Sequence, residues 1–312
     1  MKNIARTKHT ICVVGDIHAK FYYLERIIHL YEINQSIFSK VVFLGDYVDD
    51  WTAPPEASYN TLKALVDFKL KYPDNVVLCI GNHDLGYMSS GHFRGSGFSN
   101  QTLSLTKDLY ATKINGEPIF QLAYALEFDQ DPTAPLGETN FLFTHAGVTR
   151  EFFDKLRKLT SAYDPSLKKH FDWRNCLFAS NVASLLNTCF ERGFTNPADP
   201  FFQAIIQAGP ARNGNSIPGP LWADKSEFSG SYLEAISQVV GHTPVESIIR
   251  YSHPSGCAYP ANNLFCDTLS TWYDRSTGIE GNIGDRSLLQ ITLKKGEHPD
   301  FIVIPKEDWL TS

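Results

Sequence analysis

Eight side chains in this sequence have the types to bind or activate a reacting group, and they fall in five short clusters. They are Asp16 with His18, Asp46, Asn82 with His83 and Asp84, His145, and His242. Carboxylate, amide oxygen and imidazole nitrogen in one set suit a pair of divalent transition ions such as Mn, Fe or Zn, whereas an all-oxygen set would suit Mg or Ca. The set contains no cysteine, which argues against a closed structural zinc site. Taken singly, a histidine such as His145 is most often a packed core or surface residue, and a Gly-Asp pair after a strand is most often a turn. Recurrence decides the matter: each cluster ends an apolar run, and four of the five follow a glycine, at Gly15, Gly45, Gly81 and Gly241.

The elements that must position these groups can be read from hydrophobic periodicity. Apolar, β-branched runs at residues 10–14, 40–44 and 76–80 predict buried strands. Between them, Tyr23, Ile27, Leu30 and Tyr31 recur at helical spacing over 20–34. Leu62, Leu65, Val66, Phe68 and Leu70 do so over 58–72, where Pro73 stops the helix. Strand, helix, strand, helix, strand predicts a parallel sheet with its ligand site at the carboxyl ends of the strands. A fourth strand at 140–144 delivers His145.

The rest is expected as follows. Residues 101–110 read as a helix, 131–136 as a Pro-rich loop and 149–193 as mostly helical. Residues 194–219 read as loop, and 231–239 as a helix leading into Gly241-His242-Thr243. Runs at 247–251, 264–268, 288–293 and 301–304 read as strands of a second, mixed or antiparallel sheet. With no convincing linker, residues 1–312 are expected to form one domain with insertions at about 85–138 and 149–230.

A net charge of −6 and a hydrophobic fraction of 43% describe a globular chain and disfavour a general polyanion binder, so no nucleic acid is expected. Neither a signal-peptide segment nor a run of about 18 apolar residues is present, so the chain reads as cytoplasmic with no membrane partner. The six cysteines include no Cys-x-x-Cys pair and read as buried thiols of a reducing compartment.

The blocks Gly15-Asp16-Ile17-His18, Gly45-Asp46-Tyr47-Val48-Asp49, Gly81-Asn82-His83-Asp84, Thr144-His145-Ala146-Gly147 and Gly241-His242-Thr243 together resemble the five blocks of the calcineurin-like metallophosphoesterases. Within that superfamily they are most similar to the branch of serine/threonine protein phosphatases and symmetrical diadenosine tetraphosphate hydrolases. The resemblance implies a four-layer α/β/β/α sandwich of two mixed sheets flanked by helices. It implies two divalent metal ions, Mn foremost with Fe or Zn as alternatives. Asp16 and His18 would hold the first, Asp46 would bridge both, and Asn82, His145 and His242 would complete the second. Two-metal hydrolysis of a phosphoester follows, with His83 as general acid and Asp84 orienting it. A helix-capping role is the alternative for Asp84.

Two departures bear on substrate. Pro244 stands where many phosphodiesterases of the superfamily carry a second histidine, which favours the protein-phosphatase-like branch. In the second block, Asp49-Asp50-Trp51 replaces the Asp-Arg-Gly usual there, so a phosphate-clamping arginine is missing; Arg94 and Arg212 are the candidates to replace it. Gly219-Pro220-Leu221-Trp222-Ala223-Asp224 resembles a Leu-Trp-Ser-Asp stretch bordering the phosphatase active site, and Asp267 falls in a matching core strand. The expected activity is hydrolysis of phosphomonoesters, from a phosphorylated protein or a small molecule. Dinucleoside polyphosphate or nucleotide hydrolysis is the alternative, and an inactive binding scaffold a second.

Overall fold

The computed structural model describes residues 8–128, 139–172, 175–253, 261–274, 276–295 and 297–310. The Pro-rich loop expected at 131–136 and Cys257 lie outside them. The chain opens with β1 (Lys8–Val14), α1 (Phe21–Ile33), β2 (Lys40–Phe43), α2 (Pro55–Lys71) and β3 (Val76–Cys79), the alternation that periodicity predicts. Short helices α3 (Asn82–Met88) and α4 (Asn100–Tyr110) follow. Then come the small strands β4 (Lys113–Ile114), β5 (Glu117–Pro118) and β6 (Phe120–Gln121), with β7 (Ala123–Glu127) and β8 (Asn140–Thr144). The helical stretch comprises α5 (Arg150–Tyr163), α6 (Ala179–Thr195), α7 (Pro200–Ile205) and α8 (Lys225–Phe228). The final part contains β9 (Ser237–Val240), β10 (Ile249–Ser252), β11 (Asn262–Phe265), β12 (Thr271–Asp274), β13 (Ile279–Asn282), β14 (Leu288–Lys294), β15 (Asp300–Ile304) and α9 (Glu307–Leu310).

Two sheets form the centre. One runs β15-β14-β1-β2-β3-β6 and the other β10-β11-β9-β8-β7. In the first, β1, β2, β3 and β6 are parallel, while β14 lies antiparallel to β1 and β15 to β14. In the second, β8, β9 and β11 are parallel, with β7 and β10 as antiparallel edges. Because alternate residues of a strand face opposite sides, β1 serves two cores. Ile11 and Val13 pack between the sheets with Phe141, Phe143, Val239 and Leu264. Cys12 and Val14 pack outward, under Leu24 and Ile27 of α1 and Leu62 and Leu65 of α2. On the far side α6 covers β7 and β8. The expected α/β/β/α layering is therefore the observed one.

Several expectations are corrected. The runs near 288–293 and 301–304 join the first sheet as β14 and β15, rather than the second sheet. Residues 237–240 form β9, not the end of a helix. This strand is the middle one of its sheet and buried on both faces, so it lacks the alternation that marks a half-exposed strand. The loop expected over 194–219 contains α7, capped by Asp199, whose Oδ1 accepts the N–H groups of Phe201 and Phe202 at 2.9 and 3.2 Å. Pro200 at its first position starts the helix instead of breaking it. No helix among the described residues is long and apolar enough to cross a membrane.

Candidate metal centre and active site

The carboxyl ends of β1, β2 and β3 meet those of β8 and β9, so polar residues from both sheets converge. Asp16, after β1, takes the His242 N–H on its two oxygens at 3.0 and 3.1 Å. Asp46, after β2, accepts the His83 N–H on Oδ1 at 2.9 Å; its Oδ2 stands 3.4 Å from His145 Nε2 and 3.8 Å from His18 Nε2. Asn82 opens α3, and its Oδ1 lies 2.9 Å from His145 Nε2, with His242 Nδ1 3.1 Å from that same nitrogen. Asp16, Asp46 and His145 are buried, and each offers a ligand atom within 4.8 Å of the others.

The backbone here is bent to purpose. His18, Asp46 and His242 adopt φ of +44°, +53° and +64°, a left-handed conformation costing a non-glycine residue on the order of 1 kcal/mol or more. The hydrogen bonds that hold it include those from the N–H groups of Ile17 and His18 to the Asp46 carbonyl, at 3.1 and 2.8 Å. The glycines of the blocks are explained by close approach. A Cβ on Gly81 would sit 2.0 Å from Asp46 Oδ1, and one on Gly241 would sit 2.2 Å from Asp16 Oδ1.

Imidazole orientation follows from the second nitrogen of each ring. His18 Nδ1 lies 3.0 Å from the Asp49 carbonyl, and His145 Nδ1 lies 3.0 Å from the Leu44 carbonyl. A carbonyl only accepts, so both Nδ1 atoms carry a proton and both Nε2 atoms face Asp46. His242 presents Nδ1 instead, and its buried Nε2 has no hydrogen-bond partner. Burial holds the His18 ring down at about 4 and the His242 ring well below the usual range, so both stay neutral. Burial, then the Asp267 and Asp46 charges, pushes Asp16 far up. Burial acts against a charged His145, yet Asp46 and Asp16 outweigh it and push the ring up to about 10. The buried acidic groups thus favour positive charge at one point, where the neutral His18 and His242 rings and an amide oxygen also converge. That donor set fits divalent metal ions.

Asp84 departs from its expected place. It is completely buried, and its Oδ2 accepts the N–H groups of Gly81 and Asp46, each at 2.8 Å. Its Oδ1 accepts the Tyr47 N–H at 3.1 Å and the Tyr110 hydroxyl at 2.5 Å. These bonds make it, as the third residue of α3, the acceptor for the N–H of the N-cap Gly81 and the tie between two strand-end loops. The carboxylate that meets the His83 ring is Asp49, with Oδ2 3.2 Å from Nδ1, while its Oδ1 accepts the Tyr87 hydroxyl. Burial would lower the His83 pKa, but Asp46, Asp49 and Asp84 together raise it. Sequence adjacency pointed to Asp84; the signal for Asp49 lay in the Gly-Asp-x-x-Asp spacing of the second block.

The family model described as calcineurin-like phosphoesterase matches residues 9–192, more than half of the chain and a stretch that carries four of the five strand-end clusters. The chain belongs to the calcineurin-like phosphoesterases. A protein phosphatase 2A catalytic subunit of Dictyostelium discoideum is 34% identical over 83 residues, covering 26% of this chain and 24% of that protein. A PP2A-like serine/threonine-protein phosphatase of Candida albicans is 37% identical over 83 residues, 26% of this chain and 18% of its own. This chain thus matches about a quarter or less of the length of these two curated relatives. Among solved structures, a serine/threonine phosphatase from Saccharomyces cerevisiae with similarity to human phosphatase PP5 aligns at a TM-score of 0.47. Its identity is 15% over 97% of this chain and 82% of that one.

In this calcineurin-like chain a cavity of about 180 Å³ is lined by His18, Asp46, Asp49, Asn82, His83 and His242. Arg212 lines it too, pairing with Asp224 at 3.0 Å and reaching the His242 carbonyl at 3.5 Å. Arg94 does not: it is exposed, bonds the Gly91 carbonyl at 3.1 Å and stacks over Phe98. Lys20, which the sequence did not single out, lines the cavity with Asp50 and Trp51. Asp267 adds a further buried carboxylate beside Asp16, with Oδ2 accepting the Ser270 hydroxyl at 2.8 Å and Oδ1 unpartnered.

Proposed function

We propose that this chain is a metal-dependent phosphoesterase that hydrolyses phosphomonoesters, in the manner of the protein phosphatases. The observation that carries the reading is that Asp46, one of the buried Asp16, Asp46 and His145 group, lines one small cavity together with the His83 and Asp49 pair. Asp16, His18 and Asp46 would hold one divalent ion, and Asp46, Asn82, His145 and His242 a second, with Mn the first choice. Such ions supply Lewis acidity toward water and toward the phosphate oxygens.

The protein's own groups divide the remaining work. Asp49 accepts the Nδ1–H of His83 and favours the protonated ring, which leaves Nε2–H to protonate the departing ester oxygen. Asp84 anchors the loops after β2 and β3 to one another, so that Asp46 and His83 hold their separation. Arg212 places a cation at the His242 side of the cavity, where it offsets phosphate charge. At about 180 Å³ the cavity takes a phosphoryl group and its ester oxygen and is smaller than sites that enclose a drug-sized ligand, about 300–1,000 Å³. This favours a phosphate presented at the end of a larger substrate, whether phosphoprotein or small molecule.

Dinucleoside polyphosphate hydrolysis is the second reading. Its support is aromatic: Trp51, 54% exposed, and Trp222 both line the cavity, and a base could stack on either. A panel with added Mn separates the readings, using p-nitrophenyl phosphate, its bis ester, a phosphoserine peptide and diadenosine tetraphosphate. Turnover of the first and third is expected. Preference for the bis ester or for the dinucleotide would overturn the monoesterase reading, and inactivity on all four would leave a binding scaffold.

A further inference from the structure

Lys20 occupies a position that local physics disfavours. It is the N-cap of α1, where a Ser, Asp or Asn would accept backbone N–H groups and where a cation opposes the helix dipole. Its side chain makes no capping hydrogen bond. A residue that breaks a local rule without local return marks a functional constraint.

The surroundings indicate which constraint. The N–H groups of His18 and Ala19 donate to the carbonyls of Asp46 and Tyr47 at 2.8 and 2.9 Å, so the turn carrying Lys20 is fastened to the loop carrying Asp46. The Lys20 side chain is 13% exposed, and its ammonium lies 3.3 Å from Asp50 Oδ2. Asp50 is itself fixed, because its Oδ1 accepts the Thr52 N–H, the Thr52 hydroxyl and the Ala53 N–H at 2.9, 2.8 and 3.1 Å. An ammonium has three donors, and among the described residues only Asp50 engages this one. The others are available to the cavity that also holds His18, Asp46 and His83. Arg212 stands at the His242 side of that cavity and Lys20 at the His18 side. Among the described residues these are its two cations, set against the carboxylates of Asp46, Asp49 and Asp50. A doubly charged phosphoryl group entering there needs compensation on both sides.

We infer that Lys20, steered by Asp50, binds the phosphoryl group of the substrate opposite Arg212. Position 50, where the sequence offers an acid, thereby contributes indirectly, by aiming a lysine delivered from the first block. The inference rests on the phosphoesterase reading for its substrate but not for its test, which begins with binding of inorganic phosphate. An ammonium is a point charge and lacks the two-pronged fork of a guanidinium, so the site holds phosphate by charge more than by planar geometry.

The experiment compares wild type, Lys20→Met and Lys20→Arg, each loaded with Mn. It measures inorganic phosphate affinity by calorimetry and by product inhibition, with kcat and KM for p-nitrophenyl phosphate, bound metal and thermal melting. Loss of one charge-assisted contact should weaken phosphate binding and raise KM in Lys20→Met about ten- to a hundredfold. Metal content and melting should hold, kcat should move far less, and Lys20→Arg should regain most of the affinity. Unchanged phosphate affinity in Lys20→Met would overturn the inference, and so would loss of metal together with phosphate, which would make the lysine a support for His18. If wild type turns over no ester yet binds phosphate in a Lys20-dependent way, the activity reading fails and this inference stands. If wild type hydrolyses monoesters and Lys20→Met is unaffected, the reverse holds.

Discussion

Asp49→Asn keeps the shape of the side chain that meets His83 and removes its charge. In the structure Asp49 serves two donors, the His83 ring through Oδ2 and the Tyr87 hydroxyl through Oδ1. An amide has one accepting atom, so one of the two donors would face an NH2 group. A hydrogen bond with a charged partner contributes about 1.5–3 kcal/mol, and losing it from the transition state lowers kcat roughly ten- to a hundredfold. The sign of the pH effect follows from the same contact. Asp49 is among the charges that hold the His83 pKa up, so its removal lets the ring lose its proton at lower pH. The alkaline limb of the kcat profile should therefore move toward lower pH. The assay is a pH series on two substrates, phenyl phosphate and p-nitrophenyl phosphate. Phenolate is the poorer leaving group and needs the proton more, so the loss should be larger on phenyl phosphate. Equal losses on both substrates with an unmoved alkaline limb would refute His83 as the acid. Asp84→Asn is the contrasting variant. It should act on stability, at about 1–3 kcal/mol for each backbone donor left facing the amide NH2, read as a lower denaturation midpoint.

Two further outcomes follow from the packing of the centre. Gly81→Ala would drive a methyl group against Asp46 Oδ1, so metal binding measured by elemental analysis should fall sharply, with about 1–3 kcal/mol of overpacking cost in chemical denaturation. Gly95→Ala, where an added Cβ meets nothing within 4 Å, should do neither. Because Asp16, Asp46 and His145 are buried together, chelation should lower the melting temperature and Mn should restore it, with about 2.7 kcal/mol gained at a hundredfold excess over Kd. No shift on metal addition would remove the cluster as a metal centre.

The strand ends were legible because each carries the same local signature, an apolar run, then in four of the five cases a glycine, then a polar group. The layer order was legible too, since β1 alternates between two cores and α1 and α2 show clean apolar faces. The misreadings have physical causes. β9 is buried on both faces, so residues 231–239 read as a helix where Ser237–Val240 form a strand. α7 was hidden by its prolines, although Asp199 followed by Pro200 is a helix start. Asp49, Lys20 and Tyr110 act across space from other strand ends or helices, and one-dimensional spacing ranks such partners below a neighbour like Asp84. Arg94 failed as a candidate for the converse reason, since proximity to Gly81-Asn82-His83-Asp84 in the chain did not bring it to the cavity. The hairpin of β12 and β13 went unread, yet Glu280 on it accepts the Thr52 hydroxyl at 3.2 Å and so closes onto the loop beside Trp51.

The antiparallel seam between β1 and β14 sets a condition on biosynthesis. β1 has one edge completed by residues 289–294, which are translated about 280 residues after it. Until those residues emerge, β1 presents unpaired backbone groups and half of its inter-sheet core stays open. The α1 and α2 layer can settle early on β1, β2 and β3, but the second sheet must wait in register while most of the chain is made. Such late, long-range closure slows folding and lengthens the time an unpaired edge is exposed. Protein released before residue 288 should therefore be a substrate for chaperones or proteases, even though all five strand-end clusters would already have been translated.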